Sequence, residues 1–322
     1  MPDLARAVAA TTADQSPRVT WLTRFRYRHR YVVGYLFILP WFLSFLWFDV
    51  IPFILNLYLS ATNYSVGPLG RARWIGLENY TTIFTADPRF LKSAGNTLYY
   101  ALGAVPLGLL CAFTIALLLN SKVRGLGAYR TAFYVPSLVP AVAASLIFLW
   151  ILNTNYGALN RLLGVVGIEP IRWLSRPEWV KPAVIIVSLW GFGAQMVIFL
   201  AGLQDIPREL YEAVEIDGGG AWRKLIHLTI PLMTPVIFFN LVVGVIGSFQ
   251  VFTPAYIFFG TDGGPLNSGL FYMVHIYNNA FRFFKMGYAT ALSLILFIFI
   301  LIFTIVLVRT SDRWVFYTGG GR

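Results

Sequence analysis

Seven stretches of this chain run without one charged side chain: 31–48, 50–70, 93–121, 131–160, 182–204, 232–261 and 286–308. A bilayer core of about 30 Å asks for about 20 apolar residues per helix, so runs of this length read as membrane spans. Only 12% of the residues are charged and 57% are hydrophobic, whereas a soluble domain carries about twice that share of charge. The net charge of +11 does not point to nucleic acid. Its basic residues flank the apolar runs rather than interleaving into a binding patch.

The runs group into six helices, expected at about 31–60, 94–120, 130–153, 181–203, 232–260 and 285–308. The expected class is therefore an all-α integral membrane protein with six transmembrane helices. Residues 1–30 form a basic segment, 31–310 the membrane domain and 311–322 a tail. Pro40, Pro52, Pro106, Pro136, Pro140 and Pro254 fall inside spans, where neighbouring groups can satisfy the carbonyls they free. Arg24, Arg26, Arg28 and Arg30 abut the first span, and Lys122, Arg124 and Arg130 mark the next turn on that side. Basic residues near the first span favour the cytoplasm. Both termini and the 121–129 and 204–231 loops are thus expected there. The first 30 residues hold six arginines and no apolar core, so the first span is expected to stay as an anchor. With one cysteine, Cys111, and three scattered histidines, neither an intrachain disulfide nor a Cys/His metal site is expected.

The loop at about 205–231 differs from its surroundings. Five of the chain's 14 acidic residues, Asp205, Glu209, Glu212, Glu215 and Asp217, fall within it. Pro207 is expected to start a short helix with Asp205 as its cap. Glu209, Glu212 and Glu215 then share one helix face. Gly218-Gly219-Gly220 ends that helix. A second, Ala221 to about Thr229, carries Trp222, Leu225 and Ile226, and Pro231 is expected to stop it before the fifth span. Acids near a helix C-terminus are unfavourable, so the dipole does not explain Glu215 and Asp217. An acidic face ending in a glycine turn and an aromatic helix reads as a docking surface.

The residues "EAVEIDGGGAWRKLIHLTIP" resemble the EAA loop of membrane subunits of bacterial ABC importers. That pattern is Glu-Ala-Ala, three residues, Gly, nine residues, then Ile-x-Leu-Pro. Here Glu212-Ala213-Val214, Gly218 and Leu228-Thr229-Ile230-Pro231 keep the spacing. "WIGLENYTTIF" (74–84), "NTLYYAL" (96–102), "GLQDIP" (202–207) and "GGPLN" (263–267) are similar to the carbohydrate subgroup, of the maltose and glycerol-3-phosphate permease type.

The resemblance implies a type I importer permease fold in the bacterial inner membrane. It also implies a second, similar permease, two ATPase subunits, an extracytoplasmic solute-binding protein and contact with membrane lipid. This chain has no P-loop, so ATP and Mg would be held by the ATPase, with no cofactor bound by the chain and no enzymatic role of its own. Carried over residue by residue, Glu212 with Ala213 and Asp217 would meet the ATPase. Gly218 would supply the turn, Trp222 and Leu225 would enter a groove, and Pro231 would close the motif.

Polar residues in apolar spans tend to face a cavity. Trp190 and Gln195 in span four, and Ser248, Phe249, Gln250, Phe252 and Thr253 in span five, are the candidates for a solute path. Polar groups beside aromatic rings suit a sugar. Spans two, four, five and six hold no internal Arg, Lys or His, which favours a neutral sugar over glycerol-3-phosphate. A secondary transporter would need intramembrane ionisable groups or an internal repeat. Asp49 is the one clear candidate for such a group. An intramembrane enzyme would need paired acids or a histidine cluster at membrane depth, and the spans offer neither.

Overall fold

A computed structural model describes residues 34–66, 72–121 and 124–316. The basic segment 1–30, Lys122 and the tail from 317 lie outside them. The chain divides into two units, 1–55 and 56–322. Among the described residues the regular secondary structure is helical apart from one isolated bridge, Thr62 to Trp74.

The first unit contains most of α1, Gly34–Ser60, which is apolar and long enough to cross a bilayer. In the second unit, α2 (Glu78–Thr85), α3 (Pro88–Leu119), α4 (Leu126–Tyr134), α5 (Ala141–Ile151) and α6 (Ala158–Val165) come first. They are followed by α7 (Pro177–Leu189), α8 (Gly193–Gln204), α9 (Arg208–Ile216), α10 (Ala221–Lys224) and α11 (Ile230–Phe249). The last three are α12 (Thr253–Phe259), α13 (Tyr272–Tyr277) and α14 (Met286–Ser311). Four helical stretches are long and apolar enough to span, and six if each bent pair counts as one.

Two of the six expected spans are bent pairs. The third is split by 98° between Leu126–Leu138 and Ala141–Ile151, and the fourth by 50° between Pro177–Leu189 and Gly193–Gln204. Pro140 sits at the first break with ψ 136°, where its ring and the restriction on the preceding residue end the helix. The fifth breaks after Phe249, and Phe252 adopts φ −132° before α12 resumes.

Pro231 does not stop the helix that begins at Ala221, contrary to expectation. A π turn at Leu225–Thr229 carries the chain into α11, with the Ile230 N–H donating to Leu225 O. The same device precedes Pro52, where a π turn at Leu46–Val50 ends with Ile51 N–H donating to Leu46 O. A proline ring collides with the carbonyl four residues back. Widening the turn just ahead of it relieves that collision without ending the helix.

Helix α3 is the hub of the second unit. Its small residues Ala101, Ala104, Ala112 and Ala116 are buried, which lets α7, α8 and α11 approach closely. Three apolar clusters sit around it, one joining Ala112 and Ala116 to Met196, Phe199 and Met233. One close backbone approach is at Gly193, where an added Cβ would lie 2.4 Å from Phe133 O and 2.9 Å from Tyr134 Cα. Gly193→Val must push α8 away from α4. It is expected to lose about 2–3 kcal/mol, read as a lower Tm in detergent. Gly191→Ala, whose nearest contact would be 3.7 Å away, is the matched control and should leave Tm in place.

Side-chain amides tie the loops to this bundle. Asn79 on α2 donates to Ser60 O (2.8 Å) and Thr62 O (2.9 Å). Asn96 on α3 donates to Asn267 O (2.8 Å) and Leu270 O (2.9 Å), and Thr97 accepts from Tyr272 N–H. The 263–267 turn held by Asn96 has positive φ at Gly263, Gly264, Leu266 and Asn267. At this end of the bundle Asp87 caps α3 through Arg89 N–H and Phe90 N–H. Its other oxygen accepts from His275 Nε2 at 2.9 Å and Tyr288 OH at 2.6 Å.

Candidate functional site

Two places stand out, one at the loop between α8 and α11 and one inside the bundle. In the loop, Pro207 rather than Asp205 occupies the cap position of α9, and no side chain bonds the free N–H groups there. Asp205 instead ends α8, because its N–H still donates to Ala201 O. Ile206 is buried and Tyr211 packs with Leu203 and Met233, and the Tyr211 hydroxyl lies 3.1 Å from that of Thr229. These contacts hold α9 against the start of α11 and turn Glu209, Glu212 and Glu215 outward.

Helix α9 closes with a Schellman turn: Gly219 N–H donates to Val214 O at 2.8 Å and Gly218 takes φ +75°, a conformation suited to glycine. Asp217 is the exposed residue just before it. An ion pair between Lys224 and Glu215 crosses the turn. One of the three acids is therefore matched within the loop. Among the described residues Glu209 and Glu212 form no ion pair. Beside them Trp222 is 75% exposed and Ile216 87% exposed. Ile226 is also exposed and Leu225 is half-buried, as is Pro231, which sits in the first turn of α11. Large apolar side chains exposed beside unpaired carboxylates form a surface suited to a partner.

Within the bundle a cavity of about 360 Å³ is lined by Tyr100, Trp190, Gln250, Phe252 and Thr253, with Ser137, Ser188 and Gly191 among its other residues. All three helix breaks end on it: Pro136–Val139 from the first, Trp190–Gly191 from the second and Gln250–Phe252 from the third. Irregular backbone at membrane depth is tolerated where it is buried in protein or lines a water-filled cavity. The Ser137 and Ser188 hydroxyls donate to carbonyls of their own helices at 2.7 Å. Among the described residues, the Trp190 indole N–H, the Gln250 amide and the Thr253 hydroxyl have no protein partner. No charged side chain lines the cavity.

The expected path residues therefore separate. Trp190, Gln250, Phe252 and Thr253 meet at the cavity. Ser248 and Phe249 do not: Ser248 is buried and donates to Val245 O at 2.8 Å, and Phe249 packs among Tyr272, Leu296 and the Phe303 ring. Gln195 is half-buried where α8 crosses α3 and α11, near Gly108 and Gly244. Helical periodicity around residue 249 explains the difference, since neighbouring residues in one helix face different ways. Tyr100 and Ser137 were missed, although Pro136 and Pro140 bracketing Ser137 in a span are a legible sign of a break.

Residues 104–316 match the family described as binding-protein-dependent transport system inner membrane component. The chain is 40% identical to the probable ABC transporter permease protein YesP of Bacillus subtilis (strain 168), over 89% of this chain and 92% of that protein. It is 35% identical to the lactose transport system permease protein LacF of Rhizobium radiobacter, over 84% and 90% of the two chains. A crystal structure of a bacterial alginate ABC transporter in complex with alginate pentasaccharide-bound periplasmic protein contains a chain of the same fold. The TM-score is 0.77 at 22% identity, covering 92% of this chain and 98% of that one. The chain belongs to the family of inner membrane components of binding-protein-dependent transport systems, as an ABC permease with multiple membrane spans.

Proposed function

We propose that this chain forms half of the path of an ATP-driven sugar importer, paired with a second permease and served by an extracytoplasmic binding protein. Two ATPase subunits would dock on the 205–231 loop, with both termini and that loop in the cytoplasm. The observation that carries the sugar reading is the cavity at the three helix breaks. There Trp190, Tyr100 and Phe252 offer ring faces beside the unpartnered Trp190 N–H, Gln250 amide and Thr253 hydroxyl. A sugar presents C–H groups on its faces and hydroxyls on its edges, so it fits such a lining. The naming of LacF for lactose and the alginate complex support the same reading. A lining without charge favours an uncharged sugar over a phosphorylated one.

Trp190→Ala is expected to lower uptake about tenfold. Losing aromatic contact with the solute is worth about 1 kcal/mol or more beyond area, and 1.4 kcal/mol is a factor of ten. Uptake of lactose, maltotriose, arabinotriose and glucose into proteoliposomes holding the assembled transporter and its binding protein is the test. The sugar reading fails if the wild type imports none of them while importing a non-sugar solute.

A further inference from the structure

Helices α3, α13 and α14 line two further cavities, which follow one another along the same seam. The first, of about 340 Å³, is lined by Asp87, Arg89, His275, Asn279, Lys285 and Tyr288. The second, of about 290 Å³, is lined by Leu91, Leu98, Tyr272, Leu296, Phe299 and Phe303. The first lies at the end of the bundle remote from the 205–231 loop. The other end of α14 is the one that meets α11, where Phe316 N–H donates to the Thr234 hydroxyl at 2.8 Å.

In the first cavity the acids are engaged and two cations are not. Asp87 already accepts from Arg89 N–H, Phe90 N–H, His275 and Tyr288. Asp262, near Arg89, is paired with Arg282. Among the described residues Arg89 and Lys285 form no ion pair, and both are exposed.

The second cavity uses up its polar groups internally. The Tyr272 hydroxyl donates to Leu292 O at 3.0 Å. Thr97, which also lines it, donates to Ser93 O and accepts from Tyr272 N–H, both at 2.9 Å. Hydrocarbon and ring faces make up the rest. Leu91, Leu98, Phe299 and Phe303 are exposed, so the cavity opens sideways from the spans. Leu98 lies nine residues beyond Arg89, about 14 Å along the helix. That matches one leaflet, half of a hydrocarbon core of about 30 Å.

We propose that this seam binds one anionic phospholipid from the leaflet opposite the 205–231 loop. Its phosphate would lie between Arg89 and Lys285, and an acyl chain would fill the apolar cavity. A guanidinium fork and an ammonium both suit phosphate oxygens, and basic pockets between membrane helices take anionic headgroups. An acidic protein segment would use the cations and leave the apolar cavity empty. A partner's apolar span would fill that cavity and leave the cations unmatched. A phospholipid satisfies both, and its binding is independent of which solute is carried.

The test places the assembled transporter in phosphatidylcholine nanodiscs with a trace of phosphatidylglycerol carrying a photoactivatable diazirine on an acyl chain. Mass spectrometry then locates the adducts, which are expected at 91–98 on α3 and 296–303 on α14. A phosphatidylglycerol carrier in place of phosphatidylcholine should lower this labelling at least fivefold. A carrier of phosphatidylethanolamine, which has no net charge, should change it less than twofold. Arg89→Gln combined with Lys285→Gln should make the phosphatidylglycerol and phosphatidylcholine carriers equivalent. Gly95→Phe should fill the apolar cavity, because Gly95 lines it and an added Cβ there meets no atom within 4 Å. It is expected to lower labelling at the seam at least fivefold while all subunits still co-purify. Equal labelling of the wild type in the three carriers would overturn the proposal, as would adducts with no enrichment at the seam. Labelling unchanged by Gly95→Phe would leave an anion pocket with no acyl chain and would overturn it too. Loss of the partner permease from Gly95→Phe would assign the apolar cavity to a subunit contact instead.

Discussion

Glu212→Lys is expected to cut sugar uptake and sugar-stimulated ATP hydrolysis at least thirtyfold while leaving the Tm of the isolated chain unchanged. Glu212 is exposed and, among the described residues, forms no ion pair. Reversing its charge therefore removes nothing that holds the fold. In the assembled importer it would face a cation on the ATPase, and truncating one partner of a desolvated interfacial pair costs about 2–5 kcal/mol. At 1.4 kcal/mol per factor of ten, the lower half of that range already gives the stated loss. Gly218→Val should act in the same direction. The site has open space around it, but φ +75° is strained for a β-branched residue by about 1–3 kcal/mol. The valine would re-aim Trp222 relative to Glu212. Co-purification with the ATPase and coupled ATPase assays read both effects. Normal assembly and normal coupling in both variants would remove the loop from the docking role.

Asp87→Ala should produce a large loss of stability for a polar side chain at a helix end. The carboxylate caps α3, and it also accepts from His275 on α13 and Tyr288 on α14. Losing a helix cap costs about 1 kcal/mol. Leaving the buried His275 without a partner adds about 1–3 kcal/mol, and the half-buried Tyr288 hydroxyl adds less because water can reach it. A fall in Tm with loss of ordered packing at this end of the bundle is expected, and hydrogen exchange at α13 reads it directly. A Tm within error of wild type would show that the three helices are held by other contacts.

The same cluster gives a pH dependence with a definite sign. Burial pushes the His275 imidazole below its ordinary value, and the nearby Asp87 only partly offsets this. Burial also acts to raise the Asp87 carboxyl, but the Tyr288 hydrogen bond, His275 and the α3 backbone outweigh it and hold it below the usual carboxylate range. Both groups thus have folded values below their unfolded ones. Each contributes stability that is present above its unfolded value and lost as pH falls toward its folded one. For His275 that loss starts below about pH 6.5. For Asp87 it starts below about pH 4. The Tm of the wild type should fall between pH 7.5 and 5.5, and His275→Gln should flatten that part of the profile.

Much of the fold was legible because bilayers reward one simple property, apolar length. The absence of charge over 93–121 and 286–308 located α3 and α14 to within a few residues at most ends. The breaks were less legible, since a proline inside a span is compatible with both a straight helix and a broken one. Pro106, Pro182 and Pro235 remain inside helices, whereas Pro140 ends one. Packing of neighbours decides between the two outcomes, and packing is not local in sequence. The loop was readable for a different reason: a glycine with positive φ and a regular acid spacing are both local features. Which polar residues reach the cavity depended on helix register, so Gln250 and Thr253 line it while Ser248, two residues away, does not. Motifs first noticed as family signatures also acquired physical roles. Asn79 and Asn96 satisfy chain turns with their side-chain amides, as Thr97 does through its hydroxyl.

Placement of the 205–231 loop against an ATPase on the cytoplasmic side can be tested at one exposed position. Ile216→Cys in a Cys111→Ser background gives a single thiol beside Glu212, because Cys111 is the chain's one cysteine. The membrane-impermeant maleimide reaction should fail in intact cells and succeed in inside-out vesicles. Assembly with the ATPase should then slow it at least tenfold. Labelling from outside intact cells, or equal labelling with and without the ATPase bound, would contradict the coupling role of this loop.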